Sequence, residues 1–494
     1  MTTTENLGAS TARAATWAFL SSTGARIVTL IGLTLLARLL APKEFGLLAF
    51  AMAYIVYVET IGDLGSGTAL IYWPDRREDA AQVTFIINLA AGVFWCVTTL
   101  LIAPFVADFF NAPQGTALVR ALAFGFLIRY LGNTHDALTR KDLRFHARAL
   151  PELAMATVKA VVALLFAWRG FGAWSLVWGH LAGLSASTIF FWIVTPWRPQ
   201  WRFPRDLFKP MLSYGRGIIF VNILGAVQDQ TDLAMIGRWL GLTALGLYQL
   251  AGKLPEATVM VIVRVASRVL LPAFSRVSAS GEDPKEAYLS AARYIGAVTL
   301  PIVTGLAILA RPFVLTLFGE QWIAAAPIVT ALAILAGVRA LGTHPGDVLK
   351  ATGRVGTLAR IEICRAIVIV IVVMIAARFS AVAVAASLAI VDGGAMVIAL
   401  TLTARAIGVS FGELGRAYAP SVIAAAAMAV VLLAWQRFGP ELPVAVSLAI
   451  AVLLGGITYL ATVRLTDPPL LGTARRMLFA RGFKQGPTGN SAEV

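Results

Sequence analysis

The 494-residue sequence is short of charge: Asp, Glu, Lys and Arg make up 14% of it, against about a quarter in ordinary soluble domains. Hydrophobic residues fill 58% of the positions instead. This excludes a water-soluble globule, because the apolar residues recur in runs of about eighteen or more rather than on one helical stripe. The alternating apolar and polar pattern of a membrane barrel is missing too, so backbone groups crossing hydrocarbon must be satisfied inside helices. Cysteine occurs only at Cys96 and Cys364, each inside an apolar run. That excludes a disulfide framework or a thiolate metal cluster and makes both small core hydrophobes. No cofactor or metal is expected.

The runs predict an all-α integral membrane protein of about fourteen helices. Six spans lie near 16–38, 46–72, 84–107, 116–138, 152–168 and 171–195, and six more near 212–237, 243–274, 288–310, 323–349, 358–377 and 380–403. Two further spans lie near 418–436 and 442–463. The domains are then a six-helix lobe over 1–197, a second over 198–405, two additional spans in 406–464 and a tail from 465 to 494. The first run carries Arg26 near its middle and so lacks the unbroken apolar region of a cleavable signal; it is expected to be retained.

A net charge of +15 raises nucleic acid as a partner, but its distribution excludes that reading. Basic residues gather in every second loop: Arg76 and Arg77; Arg140, Lys141, Arg144 and Arg148; Arg198, Arg202, Arg205 and Lys209; Lys350 and Arg354; Arg405 and Arg416; and the tail from Arg464. These loops are expected in the cytoplasm, with both termini. Trp197 and Trp201, among prolines and arginines, read as a headgroup anchor between the lobes. The stretch after Asp467 reads as an interfacial helix followed by disorder.

The two lobes repeat one another. Arg38, Leu40, Gly46, Leu47 and Ala51 recur as Arg238, Leu240, Gly246, Leu247 and Ala251, an offset of 200 residues (238 minus 38). Pro104, Phe105, Val106 and Phe110 recur as Pro312, Phe313, Val314 and Phe318, an offset of 208 (312 minus 104). Val119, Ala121, Leu122, Ala123, Arg129, Leu131 and Gly132 recur from Val329 to Gly342 at an offset of 210 (339 minus 129). An even number of spans separates the copies, so the lobes have the same orientation, related by an axis along the membrane normal. Many transporters with a cargo site between two lobes are built this way.

The stretch Asp232, Ile236, Gly237, Leu240, Gly241, Leu245, Gly246, Tyr248 and Ala251 resembles the seventh and eighth helices of Wzx-type polysaccharide flippases. Leu138, Arg140, Leu143 and Phe145, then Gly170, Gly172, Ser175, Leu176 and Val177, resemble that family's fourth-to-sixth-helix region. The resemblance extends over nearly the whole chain and includes the two last spans. The superfamily also holds multidrug exporters and MurJ-like lipid II flippases. It implies a bacterial inner-membrane protein that moves undecaprenyl-diphosphate-linked oligosaccharide from the inner to the outer leaflet. Its partners would be that lipid, membrane lipids and the polysaccharide polymerase or other assembly proteins.

Ionisable groups at membrane depth are costly and mark candidate sites. In the first lobe these are Arg26, with Glu59 and Asp63 one turn apart on the second span. In the second, Asp229 and Asp232 share a face, and Lys253, Glu256, Arg264 and Arg268 form a stripe. Arg26, Lys253, Arg264 and Arg216 are the expected cargo cations; Glu59, Asp63, Asp229, Asp232 and Glu256 neutralise them or exchange a coupling ion. The opposing reading is that each cation holds helices together through its nearest carboxylate. Arg129 and Arg339, equivalent in the repeat, read as lobe anchors. His135 and His344 read as satisfied interfacial histidines rather than proton sensors. Gly62, Gly65, Gly67, Pro255 and Pro301 are expected breaks or close-packing points.

Two rival functions are a multidrug exporter, whose cationic cargo would meet the paired acids, and a membrane glycosyltransferase or polysaccharide polymerase. The second needs catalytic acids or bases in a sizeable outer loop, and the outer loops are short. The chain is expected not to be an enzyme.

Overall fold

The computed structural model describes residues 23–62, 64–73, 75–142, 144–200, 202–280, 284–351 and 353–470, within which the side chains of 145–146, 216–218, 220–221, 262–280, 284, 351 and 355 are not described. Among the described residues there is no strand. The helices are α1 over 23–39, α2 Pro42–Gly62, α3 Ser66–Tyr72, α4 Arg77–Phe109, α5 Thr116–Lys141, α6 Phe145–Trp168, α7 Ala173–Val194, α8 Arg205–Trp239 and α9 Gly241–Ser280. They continue as α10 Pro284–Ile308, α11 Ala310–Leu317, α12 Ala326–Leu341, α13 Thr343–Ala351, α14 Val355–Ala376, α15 Ala381–Ala406, α16 Phe411–Phe438 and α17 Val444–Thr466.

Each expected span falls on a helix, but only ten of the described helical stretches are long and apolar enough to cross a membrane. The other four expected spans fall on α1, described from residue 23 onward, and on α8, α9 and α14. Those helices carry the charges singled out above, or, in α14, Arg360, Glu362 and Arg365. The expected second span is interrupted. Leu64 and Gly65 take left-handed angles, φ 51° and 69°, between α2 and α3. Gly65 there meets Gly215 of α8 so closely that a methyl on Gly215 would fall 2.0 Å from the Leu64 carbonyl oxygen. The span expected at 323–349 divides into α12 and α13 at Gly342, without a left-handed residue.

The contacts divide the chain into two compact units. The first comprises Met1–Ala257, Ala310–Leu335 and Ala359–Ala395 in their described residues. In it, Leu70, Ala80, Ala81, Val83, Leu138 and Met211 bury a core shared by α3, α4, α5 and α8. Helices α6 and α7 pack backbone to backbone: a methyl on Gly179 would lie 2.8 Å from the Lys159 carbonyl oxygen, and one on Gly183 2.9 Å from that of Met155. Glycines four residues apart permit this approach, as in other membrane helix pairs. Helix α1 runs along α6 with Gly24 facing Leu153 and Gly32 against Ala160.

The second unit comprises Thr258–Leu309, Ala336–Leu358 and Met396–Val494 in their described residues. Tyr288, Ala292, Val348 and Leu414 form one of its cores. Helix α16 starts with a capping box, Ser410 and Glu413, and Lys285 of α10 pairs with Glu413 at 2.8 Å. Helix α17 is fixed to α10 by Tyr459, whose hydroxyl donates to the Ala297 carbonyl at 2.8 Å, and by an ion pair of Arg293 with buried Asp467 just past the helix end. The expected interfacial helix and tail after that point lie outside the described residues from 471 onward.

One reading from sequence is corrected: Cys364 is exposed on α14, although Cys96 is buried. His135 and His344 are fully buried within the protein, where His135 stacks on Trp192 at 4.5 Å and His344 packs 4.9 Å from Tyr288.

Candidate functional site

The first unit holds most of the ionisable residues expected to matter, and some of them, with others that were not expected, form three arrangements. The first joins α2 and α5, where Arg129 approaches Glu59 at 3.6 Å. Glu59 is mostly covered and Arg129 about half exposed, so the pair restrains two helices while leaving part of the guanidinium accessible.

The second arrangement was not anticipated. Arg365 of α14 donates to Asp392 of α15 at 2.9 Å, to Glu362 one turn earlier at 2.8 Å, and to the side-chain oxygen of Gln228 on α8. Gln228 returns a bond to the Glu362 backbone carbonyl at 3.1 Å. Asp392 is buried, its side chain 3% exposed, and one cation faces two carboxylates. Three helices are thereby joined through one guanidinium, whose planar fork suits several acceptors at once. The signal was in the sequence: Glu362 and Arg365 lie in the span expected at 358–377 and Asp392 in the middle of the next.

The third arrangement is cationic. Lys159, on α6, makes no hydrogen bond or ion pair with a described residue. It lies within electrostatic reach of Lys253 on α9, and buried His180 on α7 lies within reach of both Lys159 and Arg129. Arg26 is exposed on α1 and likewise has no described partner. The register of α1 along α6 sets Arg26 level with Met155, but Gly24 and Gly32 face α6 and Arg26, two residues past Gly24, lies on the opposite side of α1. Lysine 159 was missed although it stands inside an apolar run, as the handful of membrane-depth charges do.

The remaining expected residues divide. Lys253 pairs with Glu256 of its own helix at 2.8 Å, both side chains partly exposed, so it is a compensated cation rather than an open one. Asp232 accepts from the Tyr248 hydroxyl at 2.8 Å, whereas Asp229 is exposed with no described partner. Arg339 is half-buried on α12. Asp63 and the side chains of Arg216, Arg264 and Arg268 lie outside the described residues.

A long helical chain with at least ten apolar spans and ionisable residues set within its helices has the architecture of a membrane transporter. Solved structures share this fold. One is the lipid II flippase MurJ in an inward closed conformation, with a TM-score of 0.77 at 12% identity over 92% of this chain and 99% of that one. Another is an inward-facing multidrug resistance MATE family transporter of the MOP superfamily, with a TM-score of 0.66 at 15% identity over 79% of this chain and 98% of that one. Residues 35–327 match the polysaccharide biosynthesis protein family, and the chain belongs to it. It is 27% identical over 495 aligned residues to the succinoglycan biosynthesis transport protein ExoT of Rhizobium meliloti, covering 99% of this chain and 98% of that protein. It is 26% identical to the teichuronic acid biosynthesis protein TuaB of Bacillus subtilis, over 69% of this chain and 71% of that one. The lipopolysaccharide biosynthesis protein WzxC of Escherichia coli is 24% identical over 66% and 67%.

Proposed function

We propose that this protein is a flippase of the bacterial cytoplasmic membrane that carries undecaprenyl-diphosphate-linked oligosaccharide repeat units from the inner to the outer leaflet for surface polysaccharide synthesis. The observation that carries the reading is Lys159, a cation with no described partner, within electrostatic reach of Lys253 and of His180, which in turn lies within reach of Arg129. A diphosphate crossing hydrocarbon must keep its charge compensated, and a cation already held there without a carboxylate provides that at little further desolvation. Family membership and the relatives named for polysaccharide synthesis and transport support the substrate class.

In this reading α1, α8, α9 and α14 span the membrane with the ten apolar stretches, giving fourteen. The basic loops and both termini are cytoplasmic. The lobes over 1–197 and 198–405, related by an axis along the membrane normal, rock against one another to give alternating access to a central charged cavity, and the two spans in 406–464 are an addition. Arg216 and Arg264 serve as further cargo cations. Glu59, Asp63, Asp229, Asp232 and Glu256 compensate charge or exchange a coupling ion, and the polymerase or other assembly proteins receive the product. The chain performs no bond chemistry of its own.

Exposed Asp229 supports a second reading, an exporter of amphipathic cations. One experiment separates the two. Cells lacking this chain should lose surface polysaccharide and accumulate lipid-linked oligosaccharide whose sugar stays inaccessible from outside. Normal polysaccharide with new sensitivity to cationic drugs would overturn the flippase reading.

A further inference from the structure

Two corners of the first unit make the same contacts with their partners exchanged. At one, α1 ends and α2 begins; at the other, α8 ends and α9 begins. A methyl on Gly46 of α2 would fall 1.8 Å from the carbonyl oxygen of Leu242, and a methyl on Gly246 of α9 would fall 1.9 Å from that of Pro42. Position 242 is position 42 displaced by the same 200 residues that carry Gly46 onto Gly246. Each glycine therefore lies under a carbonyl of the opposite corner, and those two carbonyls belong to positions that are themselves repeat mates.

The arginines of the two corners follow the same rule. Arg38 donates to the Thr316 carbonyl at 2.7 Å and the Leu317 carbonyl at 3.4 Å, at the end of α11. Arg238 donates to the Phe109 carbonyl at 2.8 Å and the Asp108 carbonyl at 3.4 Å, at the end of α4. Positions 316 and 317 are 108 and 109 displaced by 208, the offset that carries Pro104 onto Pro312. Exchanged contacts of this kind are what a two-fold axis produces between copies. Each guanidinium also caps carbonyls that the helix end leaves without an intrahelical donor, where the helix dipole is negative. The surroundings differ: Asn111 accepts from Arg238 at 3.0 Å, whereas on the other side the Trp322 indole donates to the Ala37 carbonyl at 2.7 Å.

We propose that Arg38, Gly46, Arg238 and Gly246 form a latch closing the end of the protein opposite the Arg76 and Asp206 loops, and that both of its halves must part for cargo to pass that end. The inference rests on the transport reading, since only a transporter needs this end to open. Its acceptors are neutral carbonyls, so the latch releases without stranding a carboxylate. Its two halves carry equal shares because each repeats the other. The glycines set the closed distance, and the arginines hold it.

The test is thiol labelling in a chain whose Cys96 and Cys364 are replaced by alanine, with Thr29→Cys placed on α1 one turn from Arg26. An impermeant maleimide is applied to intact cells and to inverted vesicles, with rates taken per molecule of inserted protein. Arg38→Ala, Arg238→Ala, Gly46→Ala and Gly246→Ala should each raise the labelling rate from one side about tenfold, the two arginines by similar factors. Arg38→Gln and Arg238→Gln replace the alanine variants if those do not accumulate. Unchanged rates from both sides in all variants would overturn the latch, as would an increase confined to one arginine. An increase seen only in inverted vesicles upholds the latch and overturns the proposed orientation. The expected labelling in a chain that moves no glycan upholds the latch and overturns the flippase reading.

Discussion

The cationic region of α6 and α9 and the cluster joining α8, α14 and α15 handle charge set within apolar helices in opposite ways. Lys159 has no described partner, whereas Arg365 donates to Asp392, Glu362 and Gln228. Both positions lie in apolar sequence, so residue type and depth alone do not separate a site from a brace. Compensation does. A guanidinium bonded to three side chains has little left to offer a cargo and loses much if its partners leave, while an open ammonium contributes little to helix packing and can meet an incoming anion at low cost.

The largest effect expected from this contrast is at the brace. Arg365→Ala should destabilise the protein by about 3–5 kcal/mol, because it removes the cation that bonds buried Asp392, Glu362 and Gln228 at once. Thermal or denaturant unfolding in detergent would measure this, and Arg365→Gln combined with Asp392→Asn should recover most of the loss. A mild effect of Arg365→Ala would remove the distinction drawn above.

At the open site the pattern should reverse. Lys159→Ala should leave stability unchanged or raised while export of the glycan falls at least about tenfold, equivalent to roughly 1.4 kcal/mol of lost interaction. Arg26→Ala should behave similarly, and Lys159→Arg should retain part of the activity. Lys253→Ala should cost less, about a few-fold, since Glu256 already occupies the ammonium. Quantified surface polysaccharide and membrane abundance decide the matter together. Equal losses of abundance and export at Lys159 would place it among the braces.

The smallest effect concerns charge in water. The Arg76 guanidinium bonds Asp206 and holds its carboxyl below the usual range. A lowered carboxylate pKa contributes stability above the ordinary aspartate value, and that contribution fades as pH falls through the lowered one. Both groups are exposed, so Arg76→Gln should shift the melting temperature by about a degree or less at neutral pH, with the difference vanishing in acid. A larger or inverted shift would mean that this surface pair does more than pin two loop ends.

The helical class and the placement of spans were legible because hydrocarbon forces apolar runs of a set length, and that requirement is written along one dimension. So was the repeat, through Arg38 and Arg238, Gly46 and Gly246, although the reason for those residues was not: it lies in contacts between segments some 200 residues apart. The site was less legible. Sequence gives the depth of a charge but not its partner across helices. Lys253 therefore looked open when its mate stood three residues away, and Asp229 and Asp232 looked alike though only Asp232 has the Tyr248 hydroxyl. The charges of α14 and α15 escaped notice because no short motif joins residues 27 positions apart, as Arg365 and Asp392 are.

The glycine contact between α6 and α7 has a consequence for affinity. With Gly179 and Gly183 seated against the backbone at Lys159 and Met155, the two helices have no room to slide past one another, and Lys159 and His180 keep a fixed separation. An anion arriving beside them finds neighbours already ordered and forfeits little conformational entropy on binding. Widening that contact, rather than removing any charge, would then weaken capture by loosening the scaffold, with every cation still in place.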